Sequence, residues 1–153
     1  MNRHAILLLS ITCLLFFLSS CAPKKIRVYE DAGVLRSRVV ELSVSLIGKP
    51  YLAGGKGPEK FDCSGLIYYV FKSFNIDLPL STEKLLKSGI EVRRENVLPG
   101  DIVFFRIQKD LHAGIIINKN EFIHASKSRG VTVDNINSPY WEKHLLCFRS
   151  IIF

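Results

Sequence analysis

The sequence predicts an α+β domain in which helices come first and an antiparallel sheet follows. Between about residues 36 and 87, apolar residues recur at steps of three and four, the spacing that gives a helix one buried face. From Asp101 onward, short branched or aromatic runs are separated by turn residues, which is the pattern of strands. Helical and extended segments are segregated along the chain rather than alternating, which argues against parallel crossover units. With 153 residues, 48% of them hydrophobic and 23% charged, the chain is sized for one compact domain.

At the N-terminus, Arg3 and His4 precede an uncharged run from Ala5 to Leu18, followed by Ser19-Ser20-Cys21. That run of about 14 residues fits the core of a signal peptide and is short of the ~20 that a spanning helix needs. Leu18-Ser19-Ser20-Cys21 resembles the lipobox of bacterial lipoproteins, in which the cysteine is diacylated and becomes the new N-terminus. Residues 1–20 are therefore expected to be a lipoprotein signal peptide, Cys21 the lipidation site, 21–35 a tether, and 36–153 the folded domain. Ala22 is of the kind that permits onward sorting to an outer membrane. Cys13 leaves with the signal, so Cys63 and Cys147 remain as thiols. Cys147 lies in the apolar run Leu145-Leu146-Cys147-Phe148 and reads as a small core hydrophobe rather than half of a disulfide.

The first helix is expected from Arg36, with Val39, Val40, Leu42, Ser43, Leu46 and Ile47 at helical spacing, and to end at Gly48 before Pro50. The Gly- and Pro-dense stretch 50–58 must be loop. A second helix carries Leu66, Ile67, Val70, Phe71 and Phe74 on one stripe, with Cys63 in its first turn. A short helix over about Ser81 to Lys87, capped by Ser81 or Thr82, is closed by Gly89. Strands are expected over 101–106, 113–117, 121–125, 130–133 and 147–152.

A thiol at a helix N-terminus faces the positive end of the helix dipole, which favours thiolate. Asp62 and Ser64 flank Cys63 with polar groups, and Gly65 leaves room in the first turn for close backbone or substrate approach. A base for this thiol must come from the strand region, where His112 and His124 lie. If Asn118-Lys119-Asn120 is a three-residue turn, Ile117 opposes Glu121 and Gly114 opposes His124, so His112 and His124 become diagonal neighbours on one face. A two-residue turn would put them on opposite faces. The first register gathers Ala113, Ile115, Ile117, Ile123 and Ala125 on a core face and leaves the histidine face toward the Cys63 helix. The chemistry that fits is acyl transfer: Cys63 as nucleophile, His112 as its base, His124 as orienter, with the Cys63 amide and Tyr51 hydroxyl for the oxyanion. A thiolate–imidazolium pair would be alkylated well below pH ~8.5, the free-thiol value. Neither a metal nor a cofactor is expected, since no fourth ligand clusters with these three.

In chain order, Pro50-Tyr51-x-x-Gly54-Gly55, Phe61-Asp62-Cys63-Ser64-Gly65-Leu66, Leu78-Pro79-x-Ser81-Thr82, Pro99-Gly100-Asp101-Ile102-Val103-Phe104-Phe105, His112-Ala113-Gly114-Ile115 and Phe122-Ile123-His124-Ala125 resemble the NlpC/p60 family of cell-wall cysteine peptidases. The resemblance runs from about Arg36 to the C-terminus. It implies a papain-like fold, a Cys63-His112-His124 triad, Tyr51 supporting the oxyanion or substrate, and Asp62, Ser64 and Thr82 helping to bind peptidoglycan peptide stems. The bonds implied are D-glutamyl to diaminopimelate or the diaminopimelate cross-link. The chain departs from the family at Leu80 and Leu85, where Arg and Gln are common, which touches specificity more than catalysis. Two other functions compete: a noncatalytic lipoprotein that binds wall peptide in the same cleft, and an amidase or acyltransferase on the same scaffold. The formal charge of +7 is scattered in short clusters such as Lys24-Lys25 and Arg93-Arg94, which suits an anionic envelope surface and not a nucleic-acid partner. A monomer anchored to a membrane and facing the periplasm or wall is expected.

Overall fold

The computed structural model describes residues 31–153, so the expected signal peptide, the expected lipidation site Cys21 and most of the expected tether lie outside the described residues. Helix α1 spans Ala32–Ser45, α2 Cys63–Lys72, α3 Thr82–Leu85 and α4 Pro139–His144. The strands are β1 Ile90–Val92, β2 Ile102–Ile107, β3 Asp110–Ile116, β4 Glu121–Ser126, β5 Gly130–Asn135 and β6 Leu145–Ser150. They form one antiparallel sheet in the order β1-β6-β2-β3-β4-β5. The fold is α+β, as expected.

The sheet is covered on both faces, because every strand from β2 to β4 buries alternate residues on each side. One face carries Ile102, Phe104, Ala113, Ile115, Ile123 and Ala125 against Leu66, Ile67, Val70 and Phe71 of α2 and Val39 of α1. The other gathers Val103, Phe105, Ile116 and Phe122 with Trp141 of α4. Fully burying side chains of this size contributes about 1.5–3 kcal/mol each.

Helix α1 begins at Ala32, four residues ahead of the sequence expectation, so 32–35 belong to the fold and not to the tether. The reason is Asp31, whose carboxylate accepts from the amides of Gly33 (2.8 Å) and Val34 (3.3 Å) and caps the helix despite the glycine. Arg36 then ties α1 to the sheet. Its guanidinium donates to Pro99 O (2.9 Å), Asp101 Oδ1 (2.8 Å), Ser150 Oγ (2.8 Å) and Ile152 O (2.6 Å). Two elements were not expected from the sequence. Strand β1 is a three-residue edge strand on Phe148–Ser150, too short and exposed to show a pattern. Helix α4 opens with Ser138 at the N-cap and Pro139 as first residue, a start signal followed by only six helical residues. Cys147 is a free, half-buried thiol packed against the core in β6.

Candidate active site

Cys63 is the first residue of α2, and the helix starts there because Asp62 caps it, accepting from the Gly65 amide at 2.6 Å. The same carboxylate accepts from the Gly54 amide at 2.9 Å, which fastens the loop 50–58 over the helix end. Gly65 is required by that crossing: a Cβ there would lie 1.8 Å from the carbonyl oxygen of Gly55. The glycine thus serves close backbone approach. Tyr51 is carried in by the same loop, through its bridge to Phe61.

The histidines come from the β3–β4 hairpin. Ile115 pairs with Ile123 and Ile116 with Phe122, the register of a three-residue turn. The turn is pinned by Ile117 N donating to Glu121 O (3.0 Å) and by Asn118 Oδ1 accepting from Asn120 N (2.9 Å). His112 Nε2 and His124 Nδ1 consequently meet at 2.9 Å, rings nearly perpendicular.

One expectation about this face is corrected. Helix α2 packs on the Ala113/Ile115 face, whereas His112 and His124 sit on the opposite face, beside Phe105, Phe122 and Trp141. Sulfur and imidazoles still converge because the β3–β4 ladder is short. Its registered pairs stop at Ile115, although β3 begins at Asp110. The Ala113 backbone, unpaired with β4, instead lies beside the Cys63 sulfur and favours its charged form. A cleft of about 560 Å³ is lined by Tyr51, Cys63, His112, His124, Arg129 and Trp141 among others.

Not every residue named from the sequence faces this cleft. Ser64 donates to Leu80 O (2.8 Å) and Asp62 (3.1 Å), and Asp62 is spent on the cap, so neither lines it. Thr82 is buried with its hydroxyl 3.6 Å from the Cys63 sulfur, and the neighbouring Glu83 reaches the cleft instead. Leu85 is fully buried core and Leu80 is exposed outside the cleft lining.

Electrostatics run against a resting ion pair. Burial pushes the Cys63 thiol above its ordinary 9.0, and the Asp62 charge pushes the same way, partly offset by hydrogen bonds from Thr82 and the Ala113 and Ser64 backbone. Burial also draws His112 down to about 3, helped by His124 and Lys127. The free protein therefore holds a thiol and a neutral imidazole. The helix dipole is outweighed first by burial of the sulfur and then by the Asp62 carboxylate beside it.

Sequence reasoning missed Asp134, Arg129 and Trp141. Asp134 Oδ2 lies 3.0 Å from His124 Nε2 and accepts from Arg129 (2.7 Å) and Trp141 Nε1 (2.9 Å). A signal existed for Asp134: it lies two residues past Thr132, the β5 partner of His124, on the same face. Trp141 carried none, because its helix was not expected.

Comparison with known proteins identifies the family. The NlpC/P60 family model matches residues 48–150. The chain is 38% identical over 111 residues to murein DD-endopeptidase MepS/murein LD-carboxypeptidase of Escherichia coli K12, covering 71% of this chain and 59% of that protein. It is 37% identical over 108 residues to the probable endopeptidase NlpC of the same organism, covering 68% of this chain and 70% of the relative. The chain thus spans less than two thirds of MepS, and somewhat more of NlpC. A crystal structure of an NlpC/P60 family protein from Bacillus cereus superposes with a TM-score of 0.73 at 24% identity, over 77% of this chain and 40% of that one, which shows the shared papain-like fold. With helix-borne cysteine, paired histidines and sheet order in place, the family match over most of the described residues is decisive: this chain belongs to the NlpC/P60 family.

Proposed function

We propose that the protein is a lipid-anchored peptidoglycan hydrolase of the bacterial envelope, cutting an amide of the peptide stem or cross-link through Cys63, His112 and His124. The bond is D-glutamyl to diaminopimelate or the diaminopimelate cross-link. The observation that carries this reading is that all three side chains line one open cleft, with the imidazoles in contact at 2.9 Å. Similarity to a murein endopeptidase supports the substrate class.

In this mechanism substrate binding expels water, and the thiol proton passes to His112 as sulfur attacks the carbonyl carbon. The C=O π pair moves to oxygen, giving an oxyanion beside the Cys63 amide and the Tyr51 hydroxyl. His112 returns the proton to the leaving amine, the C–N bond breaks, and a thioester remains. Water, deprotonated by His112, then releases the acid and restores the thiol. His124 holds the His112 ring in place throughout.

Anchoring through Cys21 would keep the domain at the membrane surface, and acyl chains contribute about 0.8 kcal/mol per buried methylene. Purified muropeptides digested by wild type and Cys63→Ala test the chemistry: new fragments are expected from the wild type alone. Absence of fragments from the wild type, with equal muropeptide binding by both, would instead make the cleft a binding site.

A further inference from the structure

We propose that Asp134, held by Arg129 and Trp141, is a positioning residue that selects the imidazole tautomers of this site and leaves Nδ1 of His112 to take the thiol proton. The proposal rests on the roles assigned above to Cys63, His112 and His124.

Every donor around the Asp134 carboxylate can be identified. Oδ2 accepts from Arg129 Nη2 (2.7 Å) and Trp141 Nε1 (2.9 Å), and Oδ1 accepts from Arg129 Nη1 (2.9 Å). Guanidinium and indole N–H groups only donate, so the carboxylate is ionised and only accepts. Its low acidity range agrees: hydrogen bonds from Arg129, His124 and Trp141 outweigh the burial that would raise it. His124 Nε2, 3.0 Å from Oδ2, must then carry the hydrogen.

The consequence passes through two rings. His124 is kept neutral by burial and by the nearby Arg129 cation, despite the pull of Asp134. Its Nδ1 is therefore a lone pair. His112 Nε2, 2.9 Å away, must donate to it, and the one remaining nitrogen of neutral His112, Nδ1, is an acceptor. Were His124 protonated on Nδ1 instead, His112 Nε2 would have to accept and its Nδ1 would carry a hydrogen, blocking transfer from the thiol. Trp141 adds a second restraint, since the indole that donates to Asp134 also stacks on His112 at 5.7 Å and 22°.

Besides the Cys63 thiol on α2, which lines the same cleft, the charged and titratable groups that act on the two rings come from three strands and one turn: His112 on β3, His124 on β4, Asp134 on β5, and Lys127 and Arg129 in the β4–β5 turn. Both cations disfavour imidazolium. A carboxylate at position 134 thus orients the pair without charging it.

The test is long-range proton–nitrogen correlation of the full-length chain, labelled with ¹⁵N-histidine and held in detergent, near neutral pH. The wild type is expected to show Nε2–H tautomers at both His112 and His124. In Asp134→Ala, His124 is expected to gain Nδ1–H population, and turnover of muropeptides to fall about 10- to 100-fold, the usual cost of losing a group that orients a ligand or base. The Michaelis constant should move little, because no substrate contact is removed. An Nδ1–H signal at His112 in the wild type overturns the proposal without any variant, which covers the case of an Asp134→Ala chain that does not fold. Wild-type tautomers and turnover retained in a folded Asp134→Ala would overturn it too. Because the nitrogen spectra need no substrate, inactivity of the wild type on muropeptides would remove the hydrolase reading and leave the Asp134 result to stand or fall separately.

Discussion

Cys63 shows how a single residue is pulled in opposite directions by its surroundings. The helix N-terminus favours thiolate, but burial and the Asp62 carboxylate hold the thiol above 9.0. Alkylation by iodoacetamide is therefore expected to be slow near pH 7 and to rise only above pH 9.0, and a rate midpoint below 8 would show that the dipole prevails. Thr82 is the largest of the contributions that oppose the burial, through the 3.6 Å contact of its hydroxyl with the sulfur. Thr82→Val should shift the alkylation midpoint further up, read from the same pH series. An enzyme with this resting state would withhold a reactive thiolate until substrate fills the cleft.

Elements position these residues through a few close crossings. The loop 50–58 lies on the first turn of α2, and Gly65→Ala would drive a Cβ to 1.8 Å from the Gly55 carbonyl. A helix-bound Ala would otherwise be favourable, yet this crossing should make the substitution destabilising by about 1–3 kcal/mol or more, measured as a lowered urea midpoint. Helix α1 is held by Arg36, whose partner Asp101 is almost fully buried. Arg36→Ala leaves that carboxylate without its cation, and a loss of about 3 kcal/mol is expected, since breaking a buried pair strands a charge. An unchanged midpoint would mean that Asp101 is compensated by the Leu98 amide that it already accepts from at 2.8 Å.

At the scale of the whole molecule, buried neutral histidines make stability depend on pH. The folded pKa of His112 is lowered from 6.5 to about 3 and that of His124 is lowered as well, so between those values the unfolded chain binds more protons. Stability is then full above about pH 6.5 and is lost as pH falls toward 3, by up to about 1.4 kcal/mol per pH unit for each group. The raised Cys63 value acts at the other end, removing stability as pH rises above 9.0. Melting temperatures across pH should show a plateau between these limits, and His112→Gln should flatten the acid limb. The proposed lipid anchor is tested separately: Cys21→Ser is expected to abolish palmitate labelling in cells and to release the protein from the membrane fraction.

Local pattern alone was enough for much of this. The periods of three and four and of two gave the helices and the sheet class, and the Asn118–Asn120 turn with its alternating neighbours gave the register that joins His112 to His124. These properties are legible because they depend on residues close in sequence, and a one-residue slip would have exposed the core face. Three-dimensional packing decided the rest. Whether the sulfur on one face can meet imidazoles on the other depends on how far the β3–β4 ladder extends, and the Asp134–Arg129–Trp141 group depends on where α4 lands across the sheet. The protonation of Cys63 and His112 likewise follows from burial by residues distant in the chain, because desolvation is a property of the assembled fold and of no local motif.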